Sequence, residues 1–273
     1  MGLSKEKEQE YIQKLRIGEI YLNQIPTQTE EICLEAVKQD GYALEYVEEQ
    51  TEDVCLEAIK QKGYALRYVK KQTPEICLEA VKRNYRALQF VENQTKEICL
   101  KAIKRSANAL GFVKDQTNEL CLEAIHKDPE ALKLVKKQTS EICLEAVKEN
   151  GYVLKFVEDR TYEICLEAVK SFWMALEYVE NQTEKLCLEA IKNDGWAIGI
   201  VENQTSEMCL MAILTNDCCY TCVRNPTEEI DIIKDILSKN ESKSYRQIRS
   251  QLANKEINLT DSPYHVLEQL HSY

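Results

Sequence analysis

The chain has 273 residues, of which 44% are hydrophobic and 30% charged, and its net charge is −11 at pH 7. This balance is typical of a folded, water-soluble protein, and it argues against a general nucleic-acid coat or a protein that adheres to anionic membranes. No run of about eighteen apolar residues is found in the sequence, which argues against a membrane-spanning helix. Because the first residues also lack the apolar core of a signal peptide, we expect a cytoplasmic protein.

The dominant feature is a repeat with a period of 22 residues. A threonine marks each unit, and a cysteine follows four residues later in the first nine units; the threonines are Thr29, Thr51, Thr73, Thr95, Thr117, Thr139, Thr161, Thr183, Thr205 and Thr227. Fixed-period similarity of this kind is typical of stacked repeat proteins. We therefore predict an all-α fold, an α-solenoid of about nine 22-residue helix–turn–helix repeats with a helical cap at each end.

The predicted organisation has three parts. Residues 1–28 are expected to form N-terminal capping helices, in which Tyr21 to Ile25 follow the second-helix pattern of the repeat. Residues 29–226 are expected to form the nine helical repeats. Residues 227–273 are expected to form a C-terminal helical cap, because the apolar periodicity continues there without the repeated cysteine and alanine.

The first unit predicts a helix from about Glu30 to Gln39. Thr29 is a suitable N-cap, and the helix dipole favours the acidic residues that follow it. The third unit places a proline directly after its threonine, which is the helical position where proline is accepted. The apolar stripe of this helix is Ile32, Cys33, Ala36 and Val37, widened by Leu34.

A second helix is predicted from the twelfth position of each unit. Most units have an N-cap residue there: Asp40, Asn84, Ser106, Asp128, Asn150, Asp194 and Asn216, with Lys62 and Phe172 as exceptions. Pro129, directly after Asp128, supports the same register. In the first unit we expect this helix to end near Glu49.

Three further positions of the unit predict packing. The alanine at the eighth position, such as Ala36, indicates a close approach of helices. The glutamine that ends most units, such as Gln50, is interpreted as a ladder of amides that bridges neighbouring loops, with a binding row as the alternative. Glutamate at the seventh position and lysine at the tenth, as in Glu35 and Lys38, predict ion pairs on a solvated face.

The twelve cysteines are not expected to form disulfides or metal sites. Equivalent residues in adjacent repeats should lie roughly 10 Å apart, which exceeds the reach of a disulfide. We interpret the repeated cysteines as reduced core side chains, and we expect no cofactor and no metal. Cys218, Cys219 and Cys222 include a C-x-x-C spacing, but Cys219 and Cys222 occupy positions that are small or aromatic in other units, which favours packing over redox chemistry.

The repeated string QT-x-EICLEAVK-x-x-GYAL-x-YV resembles an uncharacterised short helical repeat, a domain of unknown function found widely in giant viruses and large phages and in some bacteria. The resemblance covers residues 28 to about 230. It implies an all-helical solenoid and a viral origin, and it carries no catalytic residues. The departures from the Gly-Tyr dipeptide in individual units are therefore the places to search for function.

The first candidate site is an aromatic cluster formed by Phe172, Trp173 and Met174, with Trp196 one unit later. Large apolar residues at a helix–helix turn do not serve the turn itself, so an exposed cluster would be a contact point for a partner. The alternatives are that these side chains fold over the neighbouring unit or that they mediate self-association.

The second candidate site is a basic strip that could contact an acidic partner or a phosphate backbone. Its residues lie near the same turn in successive units: Lys82, Arg83, Arg86, Lys104 and Arg105, followed by His126 and Lys127. Acidic units flank this part of the chain. We favour the alternative, a solvated surface, because no aromatic residues alternate with the basic ones to stack on bases.

The sequence therefore predicts a non-enzymatic helical-repeat protein that binds another protein. With the resemblance, the specific hypothesis is a viral or phage protein that engages and blocks a host defence protein in the host cytoplasm. One alternative is a nucleic-acid-directed inhibitor, which would act through the basic strip or through acidic mimicry of DNA. Another is a structural or self-assembling scaffold, and a homo-oligomer is compatible with either. No contact with a membrane is expected.

Overall fold

The computed structural model describes residues 3–238, in which α-helices alternate with short 3-10 helices and no strand occurs. The chain divides into two compact units between Lys137 and Gln138. Within each unit, every repeat packs against the next one along the chain. The predicted all-α solenoid class is confirmed.

The helices of the two units have nearly constant length. In the first unit the α-helices are Lys5–Arg16, Glu30–Gln39, Glu52–Gln61, Pro74–Arg83, Lys96–Arg105 and Asn118–Lys127, and the 3-10 helices are Leu22–Gln24, Gly41–Tyr46, Gly63–Tyr68, Tyr85–Phe90, Ala107–Phe112 and Pro129–Leu134. In the second unit the α-helices are Ser140–Glu149, Tyr162–Ser171, Glu184–Asn193, Ser206–Thr215 and Glu228–Ser238, and the 3-10 helices are Gly151–Phe156, Trp173–Tyr178, Gly195–Ile200 and Asp217–Cys222.

The α-helix of each repeat begins after its threonine, as predicted. In the first repeat, the Thr29 hydroxyl accepts a hydrogen bond from the Ile32 backbone amide at 3.4 Å, and the helix covers Glu30–Gln39. The same cap is present at Thr51, Thr73, Thr95, Thr117, Thr139, Thr161, Thr183 and Thr205. A cap of this kind contributes about 1 kcal/mol, so the threonine stabilises each repeat separately. The predicted stripe is buried at Ile32, Cys33, Ala36 and Val37, and Leu34 is half-buried.

The second element differs from the prediction, because it is a 3-10 helix that ends earlier. In the first repeat it covers Gly41–Tyr46 instead of continuing to Glu49, and Val47 is already extended. The physical reason is that the Glu48 amide donates to the side chain of Gln28 at 3.0 Å, so it is withdrawn from a helical ladder. Asp40 caps this element as predicted, with its carboxylate 3.0 Å from the Tyr42 amide. Ser106, also predicted as a cap, makes no side-chain cap hydrogen bond.

The repeated glutamine forms the predicted ladder between loops. The Gln50 Nε2 donates to the carbonyl oxygen of Tyr68 at 2.8 Å, and its Oε1 accepts from the Lys70 amide at 2.9 Å. Equivalent amide clamps occur at Gln28, Gln72, Gln94, Gln116, Gln138, Gln182 and Gln204. Each clamp joins the end of one repeat to the extended segment of the next.

One repeat lacks this clamp because Arg160 stands in the glutamine position. Its guanidinium donates to the carbonyl of Leu154 at 3.3 Å and pairs with the Glu180 carboxylate at 3.3 Å. An arginine has no acceptor atom, so it cannot receive the backbone amide of Glu180. The connection between these two repeats therefore depends more on packing and less on hydrogen bonds.

The repeated alanine marks a close approach, as predicted, and a glycine of the preceding repeat is its partner. A Cβ atom at Gly41 would lie 2.6 Å from the carbonyl oxygen of Ala58, which is too close for any side chain. Gly63, Gly151 and Gly195 meet the carbonyls of Ala80, Ala168 and Ala212 in the same way. The glycine of the Gly-Tyr dipeptide is thus explained by the contact between repeats.

The ion pair predicted between the seventh and tenth positions forms in several repeats, but Glu35 of the first repeat pairs with Arg16 at 3.1 Å instead of Lys38. The glutamate is also not on a solvated face. Lys60 lies 3.6 Å from Glu57, and Lys82 lies 3.3 Å from Glu79. Both glutamate side chains are half-buried. The reason is that the seventh position adjoins the buried alanine of the eighth.

The nine repeated cysteines are buried free thiols, which confirms their interpretation as core side chains: Cys33, Cys55, Cys77, Cys99, Cys121, Cys143, Cys165, Cys187 and Cys209. Burial raises the pKa of Cys33, Cys55 and Cys187 to about 11. The Cys33 Sγ also lies 3.6 Å from the Gln28 Oε1, to which it donates. The thiols are therefore held in their neutral form.

The two ends of the chain contain helices next to the repeats. Lys5–Arg16 and the short Leu22–Gln24 precede the first repeat, and Glu228–Ser238 follows the last. The remainder of the predicted C-terminal cap, residues 239–273, lies outside the described residues. The proposed boundaries of the two caps stay a prediction. Within residues 3–238, no helix is long and apolar enough to cross a bilayer.

Candidate functional site

The 3-10 helices of the first unit carry a series of aromatic rings, here called the first aromatic row. Its members are Tyr42, Tyr46, Tyr64, Tyr68, Tyr85, Phe90 and Phe112. Rings of successive repeats touch edge to face, with centroids 6.2 Å apart for Tyr42 and Tyr68 and 5.3 Å apart for Tyr64 and Phe90. Two rings of the row, Tyr42 and Tyr46, are exposed, and the others are half-buried.

Basic side chains lie over several of these rings. The Lys62 ammonium is 4.3 Å from the centroid of Tyr42, and the Arg67 guanidinium is 5.7 Å from that of Phe90. Contacts of this type are worth about 0.5–1 kcal/mol at exposed sites. Lysine and arginine side chains of the protein itself therefore already bind to rings of this row.

The second unit has a corresponding set of rings, the second aromatic row, which consists of Tyr152, Phe156, Phe172, Trp173 and Tyr178. The Tyr152 ring contacts Tyr178 at 5.8 Å and Phe172 at 6.2 Å between centroids. Lys155 places its ammonium 3.7 Å from the Tyr152 centroid. Hydrogen bonds with Tyr178 and Lys155, and the charge of Lys155, lower the pKa of the Tyr152 hydroxyl.

The predicted aromatic cluster is only partly a free surface. Phe172 and Trp173 are half-buried, and the Phe172 ring lies against Tyr152 of the preceding repeat, so these two side chains do fold toward their neighbours. Met174 is 41% exposed and Trp196 is 40% exposed. No ring contact joins Trp196 to the cluster in the part of the chain that the structure describes. Phe172 and Met174 instead border a shallow recess of about 400 Å³ with Tyr152.

The predicted basic strip is largely tied to neighbouring groups. Lys82 and Arg83 share the carboxylate of Glu79 at 3.3 Å and 2.9 Å, and these contacts lower the pKa of Glu79. Arg86 donates to the hydroxyl of Tyr85 at 3.2 Å.

Two other members of the strip have a different environment. Lys104 and Arg105 are exposed, and neither has an ion-pair partner within residues 3–238. Among Lys82, Arg83, Arg86, Lys104 and Arg105, the last two are therefore the cations that pair with no neighbouring side chain in the described part of the chain.

The cysteines near the last repeat do not share one environment. Cys219 is buried, Cys222 is half-buried and Cys218 is exposed. Across residues 3–238, no three His, Cys, Asp or Glu side chains are grouped so that they could hold a metal ion. The packing interpretation is confirmed for the buried Cys219.

A cleft at the start of the first unit was not predicted from the sequence. This tyrosine cleft has a volume of about 660 Å³, and its lining includes Tyr21, Tyr42, Tyr46, Tyr68 and Glu45. Tyr21 is 70% exposed and Tyr46 is 47% exposed. The feature of the sequence that indicates this cleft is the repeated aromatic residue at the fourteenth and eighteenth positions of the unit. Whether these rings are exposed depends on how the repeats pack.

Comparison with known proteins identifies the repeat. The sequence profile of a family described as a domain of unknown function, DUF4116, matches residues 29–73, 51–95, 73–118, 117–161 and 139–184. These matches span residues 29–184, more than half of the chain, and they end before the last repeats. Searches among curated proteins and among solved structures give no significant match. The chain thus belongs to the DUF4116 family, which confirms the resemblance to an uncharacterised short repeat.

Proposed function

We propose that this protein is a non-enzymatic binding protein whose 3-10 helices contact another protein. The supporting observation is the position of the exposed apolar side chains. Of the eight large hydrophobic residues that are exposed within residues 3–238, five lie on 3-10 helices: Tyr42, Tyr46, Tyr152, Met174 and Trp196. Aromatic and methionine side chains of this kind are enriched at protein interfaces, and Trp and Tyr are frequent hot spots.

The packing of the aromatic rows favours binding. Each ring that touches a neighbour, such as Tyr152 against Tyr178 at 5.8 Å, loses rotamer freedom before a partner arrives. Side chains that are ordered in advance reduce the entropic cost of association. Each unit then presents aromatic anchors that are partly ordered in advance, on the kind of extended surface that repeat proteins use for binding.

The finer form of the proposal follows from the resemblance to repeats of giant viruses and phages. In this form the protein acts in the cytoplasm of a host and blocks a host defence protein. The pairing of Lys82 and Arg83 with Glu79 favours a protein partner over a nucleic acid, because two cations of the basic strip are already engaged.

The experiment is affinity capture from a lysate of the native host with the full-length chain, followed by binding measurements with the purified partner. The test variant replaces Met174 and Trp196 by alanine, and the control variant is Tyr162→Ala, which removes an exposed ring on an α-helix. We expect the double variant to weaken binding about tenfold or more, as for hot-spot residues. The control should bind like the wild type.

Three outcomes would contradict the proposal. The partner could bind the double variant as tightly as the wild type, which removes Met174 and Trp196, the exposed side chains on which the proposal rests in the second unit, from the interface. Salt-dependent binding of oligonucleotides that is lost when Lys104 and Arg105 are replaced would indicate the nucleic-acid alternative. Concentration-dependent assembly of the free protein in light scattering, suppressed by the double variant, would indicate self-association.

A further inference from the structure

The tyrosine cleft combines aromatic walls with an unpaired carboxylate. Tyr21, Tyr42, Tyr46 and Tyr68 line it, and Glu45 lines it on the same 3-10 helix as Tyr46. Within residues 3–238, the Glu45 side chain has no ion-pair or hydrogen-bond partner. The faces of aromatic rings attract cations, and a carboxylate adds charge to that attraction.

The other charged side chains that line the cleft already form ion pairs within the chain. Arg16 lies 3.1 Å from Glu35, and Asp40 lies 2.8 Å from Lys62. Because the charges of these pairs cancel, the carboxylate of Glu45 gives the cleft a net negative charge. The surrounding repeat, residues 29–50, adds to this field because it contains seven acidic residues and one lysine.

The chain itself shows how a cation binds at the edge of this cleft. The Lys62 ammonium lies 4.3 Å from the centroid of the Tyr42 ring and 2.8 Å from the Asp40 carboxylate. One ring and one carboxylate thus hold one ammonium group. Glu45 and the rings of Tyr21 and Tyr46 supply the same components elsewhere in the lining of the cleft, and within residues 3–238 none of the three holds a cation of the chain.

From this arrangement we infer that the tyrosine cleft binds an arginine or lysine side chain of a basic peptide segment in the partner. The aromatic rings contact the flat or aliphatic part of that side chain, and Glu45 pairs with its charge. This inference rests on the proposed function, because it names the chemistry of the partner at the first aromatic row.

The test uses the full-length protein and a fluorescein-labelled peptide, GRGRGRG, in fluorescence anisotropy at low salt. The uncharged peptide GQGQGQG is the reference. Glu45→Gln and Tyr21→Ala change exposed side chains of the cleft, so both variants should fold, which circular dichroism verifies. Glu31→Gln is the matched control, since Glu31 is an exposed acid of the same repeat outside the cleft. Tyr162→Ala is the control for the loss of a ring.

We expect saturable binding of the arginine peptide and none of the reference peptide. Glu45→Gln should weaken binding about fivefold and Tyr21→Ala about threefold, as for one exposed ion pair and one cation–π contact. Glu31→Gln and Tyr162→Ala should stay within about twofold of the wild type.

Equal weakening by Glu45→Gln and Glu31→Gln would overturn the inference, because it would indicate general attraction to an acidic surface. Absence of saturable peptide binding would overturn it as well. Either result leaves the proposed function intact if capture of the partner still depends on Met174 and Trp196. Loss of that dependence, with peptide binding retained, would contradict the proposed function alone.

Discussion

The side-chain amide of Gln50 joins two repeats through the backbone of Tyr68, 18 residues later, with Nε2 2.8 Å from the Tyr68 carbonyl oxygen. The same side chain accepts the amide of Lys70 at 2.9 Å. One glutamine therefore satisfies a donor and an acceptor that no regular helix or sheet pairs. This clamp explains why each repeat can end in an extended segment.

Replacing this amide should destabilise the stack. In Gln50→Ala, the carbonyl of Tyr68 and the amide of Lys70 lose their partner, and an unsatisfied backbone group costs about 1–3 kcal/mol. We expect the free energy of unfolding to fall by about 2 kcal/mol in urea denaturation followed by circular dichroism. Gln39→Ala is the control, because this exposed glutamine bonds only to Glu35 at 3.0 Å and should shift stability by less than about 0.5 kcal/mol. Equal effects of the two changes would refute a special role for the clamp.

The opposite change is available at Arg160, where the clamp is missing. Arg160→Gln places an amide between the carbonyl of Tyr178 and the amide of Glu180, so we expect a gain of about 1 kcal/mol. The pair between Arg160 and Glu180 that is lost is weak, since the Glu180 side chain is 90% exposed. Hydrogen exchange of the Glu180 amide should slow in the variant.

Arg160→Ala separates the two contributions. It removes the ion pair without adding an amide, so its Glu180 amide should exchange as fast as in the wild type or faster. A similar slowing in both variants would show that removal of the arginine, and not the restored clamp, causes the effect.

The sequence predicted the first helix of the repeat within one residue because both ends are marked locally. Thr29 begins the helix through its own hydroxyl, and Asp40 begins the next element in the same way. The early end of that element could not be predicted, because it depends on Gln28 of the preceding loop, which withdraws the Glu48 amide. A hydrogen bond over 20 residues leaves no signal in local propensity.

The candidate sites were less predictable for a related reason. Phe172 was correctly singled out as an unusual residue at a capping position, but its ring is covered in part by Tyr152, 20 residues earlier in the sequence. Trp196 was identified and is exposed. The tyrosine cleft was missed because Tyr46 is an ordinary member of the pattern and Tyr21 precedes the repeats, where it aligns with the alanine position of Ala43. That these two rings line one space follows from how the chain packs.

The contact between Gly41 and Ala58 gives a third prediction. In Gly41→Ala, the new Cβ would lie 2.6 Å from the Ala58 carbonyl oxygen, so the two repeats must separate. We expect a loss of about 1–3 kcal/mol, as for overpacked cores. Gly111→Ala is the matched control, because its nearest atom is the Leu134 Cδ2 at 3.5 Å. That change should be neutral or stabilise by about 0.4–1 kcal/mol through the unfolded state. Equal destabilisation in both variants would contradict the close approach.

The buried thiols predict a loss of stability at high pH. Burial raises the pKa of Cys33, Cys55 and Cys187 from 9.0 to about 11, so these thiols stay neutral in the folded chain while the unfolded chain ionises them. The unfolded state then binds fewer protons than the folded state. The free energy of unfolding should therefore be unaffected by these groups below pH 9 and should fall between pH 9 and pH 11. Each thiol adds a slope of up to about 1.4 kcal/mol per pH unit.

A variant in which Cys33, Cys55 and Cys187 are replaced by alanine isolates these thiols from the lysines and tyrosines that titrate in the same range. Urea denaturation under reducing conditions should be measured at pH 8 and at pH 10.5 for both proteins. The variant starts from a lower stability because it loses three buried sulfur atoms, so the decrease between the two pH values is the quantity to compare. We expect a smaller decrease in the variant, since alanine does not ionise. An equal decrease in both proteins would mean that the thiols ionise alike in the folded and unfolded chains. The conclusion that burial keeps these cysteines neutral in the folded chain would then be wrong.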